Sequence, residues 1–83
     1  MLKENVKVKV IVIDFENKKG WKIYHNEDLY GNTEIADNRF WNDVQNGYYG
    51  FIRGTTLVAD IDCPWKIEEP LKILKVHEVI YSD

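Results

Sequence analysis

The chain is poor in the residues that staple, activate or anchor a protein. Among its 83 residues there is one cysteine, Cys63, so neither an internal disulfide nor a zinc site built on several thiolates can form, and a reducing cytoplasm is the expected compartment. There is one serine, Ser82, near the end of the chain, and no GxSxG, which leaves acyl-transfer chemistry without its usual nucleophile. No aliphatic run exceeds Val10 to Ile13, far below the roughly 20 residues of a membrane span, and MLKEN carries no apolar stretch after its charges. Neither an export signal nor an anchor is expected. No basic run exceeds the pair Lys18-Lys19, and 11 basic against 14 acidic residues leave a net charge of −3. This balance argues against the sequence-independent nucleic-acid binding that clustered cations provide, while leaving room for a local basic patch.

What the chain does have is apolar and aromatic material in short, patterned stretches. The 45% apolar and 30% charged shares are those of an ordinary globular domain, and 11 aromatics give a small core large pieces to bury. Residues 1–83 are expected to form a single domain with a thin core and no deep substrate cavity. Val6 to Phe15 reads as a first strand, a turn is expected in ENKKG, and Trp21 to His25 reads as its hairpin partner. Asn26 to Asn32 reads as a polar loop, followed by a short strand around Glu34 to Ala36.

A single short helix is predicted over about Asn38 to Gln45, with Asp37 or Asn38 as cap, Phe40, Trp41 and Val44 on one face, and Gly47 as a left-handed stop. Glycines 47, 50 and 54 around YYGFIRG suggest strand ends, bulges or bends. TTLVADIDC alternates as a strand, Pro64 and Pro70 bracket a connecting WKIEE, and Leu71 to Tyr81 closes the chain as a strand in which Ile, Val and Tyr outweigh a competing helical pattern. The fold class is all-β to α+β: a small antiparallel, strongly bent sheet, or a five- to six-stranded barrel with one short helix.

Two strands break their own alternation. In VKVKVIVIDF, Val6, Val8 and Val10 oppose Lys7 and Lys9, but Ile11 and Ile13 then occupy the lysine side while Val12 stays with the valines. The last strand repeats the anomaly, with Leu74 and Val76 on one parity and Leu71, Ile73, Val79 and Tyr81 on the other. Either the two strands meet at a bulged barrel seam, or they form an outer apolar strip that docks against another surface.

The chemistry-bearing residues are few. His25, His77, Asp60 and Asp62 could in principle hold a metal, but neither histidine has a helical HxxxH partner, HNED reads as a solvated turn, and Asp60 with Asp62 is what a wet strand face looks like; no metal and no cofactor is expected. Cys63 lies on the apolar parity of its strand, as an inert buried thiol does. Lys22, Tyr24, Tyr48, Tyr49, Phe51 and Arg53, with Trp21, are the residues from which a small barrel could build a stacking face for single-stranded nucleic acid. Trp65, between Pro64 and Lys66, is the aromatic most expected to be exposed, either as a contact for a protein or as a lid over a strand end.

Trp21-Lys22-Ile23, then Ile35-Ala36-Asp37 with Phe40 three residues on, Val44, Asn46-Gly47, Phe51, Gly54, Leu57 and Lys72-Ile73-Leu74-Lys75-Val76, resemble a pattern in an uncharacterised small β module appended to the C-terminal end of larger bacterial proteins. The resemblance runs over about residues 6–80, departs where Gly54-Thr55-Thr56 replaces a Gly-Asp, and implies an accessory role without catalytic residues. The expected function is thus a non-catalytic accessory or protein-interaction module. It would dock through Ile11, Ile13, Ile73 and Val79, with Trp65 and Tyr81 at the rim, onto a parent domain, a second copy or a separate partner. The alternative is the single-stranded nucleic-acid-binding barrel.

Overall fold

The structure is a computed structural model that describes residues 1–49 and 54–81. Five strands and one helix follow in the order β1 (Leu2–Val12), β2 (Trp21–His25), β3 (Asp28–Ile35), α1 (Asn38–Gln45), β4 (Thr56–Asp62) and β5 (Leu71–Ile80). The strands close into a barrel in the order β1-β2-β3-β5-β4, with β4 pairing back onto β1. Four of the five pairings are antiparallel and β3 with β5 is parallel, so the sheet is mixed where an antiparallel one was among the expectations.

The core follows from strand alternation. Val8 and Val10, Trp21 and Ile23, Ile35, Leu57, Ala59 and Ile61, and Leu71 and Ile73 are wholly buried inside the barrel, and Phe40 and Val44 of α1 pack against it. The helix forms where the sequence places it. Asp37 adopts an extended backbone and its Oδ1 accepts the Phe40 amide at 3.0 Å, while its Oδ2 accepts the Val76 amide at 2.9 Å. One side chain therefore caps the helix and ties it to β5. Gly47 follows at φ +70°, the left-handed geometry that ends helices.

The broken alternations are bulges. Val10 pairs with Ile23 and Val12 with Lys22, so Ile11 is an extra residue on β1. Past it the parity reverses: Val12 is exposed, and Ile13 packs against the core. This corrects the placing of Val12 on the inner side. In β5, Ile73 pairs with Ile61 and Lys75 with Asp60, leaving Leu74 extra; Val76 pairs with Ala59 and Glu78 with Val58, leaving His77 extra. The inward positions accordingly run Leu71, Ile73, Val76, Val79. A seam shared by the first and last strands does not exist, because β4 lies between them.

Two boundaries differ from the sequence reading. β1 begins at Leu2 because a bulge near Asn5 (φ +51°) lets its first residues pair with β4, and Asp60 Oδ1 accepts the Asn5 amide at 2.9 Å. Residues 28–32 are strand, not loop, because the reversal needs only Asn26 and Glu27. Both sit at positive φ, as a two-residue type I′ turn requires. The final segment is a strand, as the β-branched content indicates. Among the described residues, no helix is long and apolar enough to cross a membrane.

Candidate functional site

The outward faces of β1 and β2 carry an unusual set of side chains. From Lys7 onward the exposed positions are Lys7, Lys9 and Val12 on β1 and Lys22 and Tyr24 on β2, with no carboxylate among them. Register brings them together: Lys9 faces Tyr24, Tyr24 faces Leu29 on β3, and Val12 faces Lys22. Cross-strand partners of this kind have Cβ atoms about 5 Å apart, so Tyr24 lies beside Lys9 and Leu29 on one continuous surface. Tyr24 is 42% exposed with its ring outward. Among the described residues, none of the three lysines forms an ion pair. A protein of net charge −3 thus presents a local cationic face with a phenol ring at its centre.

The connection from β1 to β2 is held rigidly at one end of this face. The buried Trp21 indole N–H is shared by the Asp14 and Asn17 carbonyls, each at 3.0 Å. Asp14 Oδ1 accepts the Glu16 and Asn17 amides, which together with the Asn17 side chain hold its carboxyl below the usual range. Ile35 N–H donates to the Lys18 carbonyl at 2.7 Å, Lys18 Nζ donates to Asn38 Oδ1 at 2.8 Å, and Gln45 Nε2 donates to the Phe15 carbonyl.

The β4–β5 side has a different character. Asp62 faces Lys72 and Asp60 faces Lys75 across the strands, and His77 Nε2 lies 2.9 Å from Asp60 Oδ1. The Asn5 amide first, and the His77 ring second, hold the Asp60 carboxyl below its ordinary value. These charges compensate one another.

The sequence-predicted residues divide accordingly. Ile73 has no exposed surface, and Ile13 and Val79 pack against the core, so these three cannot line an outer docking strip. The Ile11 bulge carries Ile13 inward, whereas Ile73 continues the inward parity of Leu71, and the two β5 bulges cancel to return Val79 to that same side. Ile11 is half-buried at its bulge, while Tyr81 is exposed and Trp65, at 84%, is the most exposed large apolar side chain described. Of the stacking set, Lys22 and Tyr24 share the β2 outer face, but Trp21 is wholly buried. Tyr48 and Tyr49 sit past the helix, where Tyr49 stacks on Phe40 at 5.4 Å and lines a cleft with Leu74 and His77, away from Lys22 and Tyr24. Burial pushes the Tyr49 phenol up. Phe51 and Arg53 lie outside the described residues.

His25 is buried at the end of β2, its Nδ1 3.5 Å from the Lys7 carbonyl, which corrects the reading of HNED as a wholly solvated turn. Among the described residues, no three His, Cys, Asp or Glu side chains gather closely enough to hold a metal ion. Cys63 is buried beside Tyr30, and their Sγ and OH are 3.5 Å apart. That contact first, and burial second, push the Tyr30 phenol up to about 12. Lys7, Lys9 and Leu29 were missed as site residues. The alternation VKVKV put both lysines on one face, but only the register with β2 and β3 sets them beside Tyr24.

Five strands in the closed order β1-β2-β3-β5-β4, a parallel β3–β5 pair and a helix inserted between β3 and β4 make this a small closed mixed β-barrel with one short helix. No protein-family profile matches the chain, and no curated protein or solved structure is detectably similar to it. The barrel class says what the scaffold is, and the site must carry the argument for function.

Proposed function

We propose that the chain is a non-catalytic binding module that takes single-stranded nucleic acid across the outer face of β1, β2 and β3. The observation that carries this is the grouping of Lys7, Lys9 and Lys22 around the exposed Tyr24, with no carboxylate among the outward β1 and β2 positions from Lys7 on. Lysines neutralise phosphates and an exposed ring stacks a base of any identity, so the pair selects a flexible polyanion with aromatic bases. OB-type barrels as a class use this strand face and the adjoining loops for oligonucleotides or oligosaccharides. The cationic character favours the nucleotide. The lone buried Cys63 suits a reducing compartment such as the cytoplasm.

The test is a fluorescence-anisotropy titration with labelled oligothymidylate at several salt concentrations. Three phosphate-pairing lysines on a single strand give a log–log salt slope of about −2. No binding at low salt, or binding indifferent to salt, overturns the reading.

A second reading, docking of a protein, rests on Trp65. With Ile67 and Leu2 also exposed, this ring stands free beside a groove of about 220 Å³ lined by Tyr30, Cys63 and Pro64, as contact residues for proteins do. It predicts self-association by sedimentation at high concentration that Trp65→Ala abolishes; a monomer under those conditions removes a second copy as the occupant.

A further inference from the structure

The cationic face does not stop at Lys22. Beyond the start of β2 lies an open groove of about 670 Å³ lined by Glu16, Asn17, Lys18, Lys19 and Gly20 from the β1–β2 connection, Asn32 from β3 and Trp41 from the helix, so two lysines outnumber its single carboxylate. The continuity is given by the strands. Trp21 faces Thr33 while Ile23 faces Tyr30, so Gly31 and Asn32 bulge out of β3 opposite Lys22. Asn32 therefore belongs both to the edge of the lysine face and to the groove. A Cβ on Gly31 would meet nothing within 4 Å, which marks an open stretch of surface between Leu29 and Asn32.

The groove combines the two chemistries of the face next to it. Trp41 is half-buried, its ring edge-on to Trp21 with centroids 6.5 Å apart, so it is backed by core on one side while it lines the groove. A ring held in this way loses little freedom when a base stacks on it. Lys18 is committed to Asn38 through its ammonium, which leaves the exposed Lys19 as the cation available to a phosphate. The connection bearing both is pinned by the Trp21 indole and the Ile35 amide, so the groove is present before any ligand arrives.

Building on the nucleic-acid reading above, we infer that this groove is a second base-stacking subsite of the same single-stranded track, with Trp41 as the platform and Lys19 as its phosphate contact. From Gly20 to Tyr24 the extended backbone takes four steps, about 13 Å, so a strand must run for more than one nucleotide to occupy both rings. The track consequently has a length threshold: oligomers too short to reach from Tyr24 to Trp41 use one platform, and longer ones use two.

The experiment uses a Trp65→Phe background, in which the wholly buried Trp21 and the groove-lining Trp41 are the remaining tryptophans. Oligothymidylates of about two to ten residues, reaching from below the smallest site sizes of such barrels into their range, are titrated by tryptophan quenching and in parallel by anisotropy. The expected result is quenching that begins only above a threshold length. Trp41→Leu, which keeps apolar contact with Trp21, is expected to lose about tenfold in affinity for long oligomers and nothing for the shortest ones. Lys19→Gln, which touches no core residue, is expected to weaken only the long oligomers and reports on the groove even if Trp41→Leu folds poorly. Binding by anisotropy without tryptophan quenching, or equal losses at every length, overturns the second subsite while leaving the first intact. Absence of binding at any length overturns the reading on which it rests.

Discussion

The two halves of the barrel surface treat charge in opposite ways. On the β4–β5 side, Asp60 and Asp62 sit opposite Lys75 and Lys72 in the ladder, with Asp60 engaging His77 and Asp62 the Met1 ammonium, so charges of both signs are interleaved there. On the β1–β2 side, Lys7, Lys9 and Lys22 stand around Tyr24 with no carboxylate among the outward positions of those two strands from Lys7 on, and the acids Asp28 and Glu34 lie on the neighbouring β3. Cross-strand pairs of opposite sign add modestly to stability, whereas three neighbouring cations repel one another, so only the first arrangement serves the fold. A face that is tolerated rather than favoured by folding is where a ligand's charge finds its use.

The sharpest way to separate fold from face is to substitute a buried strand residue and an outer one and compare. Ile73→Ala, in the core of β5, is expected to cost about 2 to 5 kcal/mol in chemical denaturation, while Lys9→Ala on β1 stays within about 0.5 kcal/mol of the parent. If Ile73→Ala were as mild as Lys9→Ala, the assignment of Ile73 to the barrel interior would be wrong. Next in size is Tyr24→Ala, expected to weaken oligothymidylate binding by about 1 to 3 kcal/mol with an unchanged melting temperature. Equal loss from Tyr48→Ala would shift the site to the far side of the helix. Smaller still, Lys9→Gln should flatten the log–log salt slope by about 0.7, and Lys75→Gln on the compensated side should leave it unaltered.

The smallest effect is on pH dependence. The Asp60 carboxyl is held below its unfolded value by the Asn5 amide and His77, so its stabilisation is present above the unfolded pKa of about 3.9 and lost as pH falls through the lower folded value. Asp60→Asn should therefore melt slightly below the parent at neutral pH, with the gap closing as acid protonates the folded-state carboxyl. Thermal melts across that range check it, and a gap that widened in acid would reverse the assignment.

Much of the scaffold was legible. The helix announced itself through Asp37, Phe40, Val44 and Gly47, and the burial of Leu57, Ala59, Ile61 and Cys63 followed from alternation. The errors cluster at irregularities. Ile11, Leu74 and His77 are single extra residues, and each reverses the parity after it, so counting by twos assigned Val12 to the inside and set Val76 on the side opposite Ile73; Ile73 was assigned to a docking strip because alternation alone does not say which parity faces the core. The strand over residues 28–32 was missed because its polar, Gly-containing sequence resembles a loop, and pairing with β2 decides the matter. Of the site, Lys22 and Tyr24 were recognised from sequence, and Tyr48 and Tyr49 were grouped with them by composition although the chain carries them past the helix.

The sequence by itself determined that this is a small, disulfide-free, β-rich domain with one capped helix, because composition, alternation and capping are local properties. It also set Lys7 and Lys9 on one side of a strand. Only the tertiary structure decided which lysines meet which aromatic, since that depends on the register between strands and on the bulges that reset it. Register is a non-local quantity, fixed when β1 pairs with β2 on one side and β4 on the other and the barrel closes.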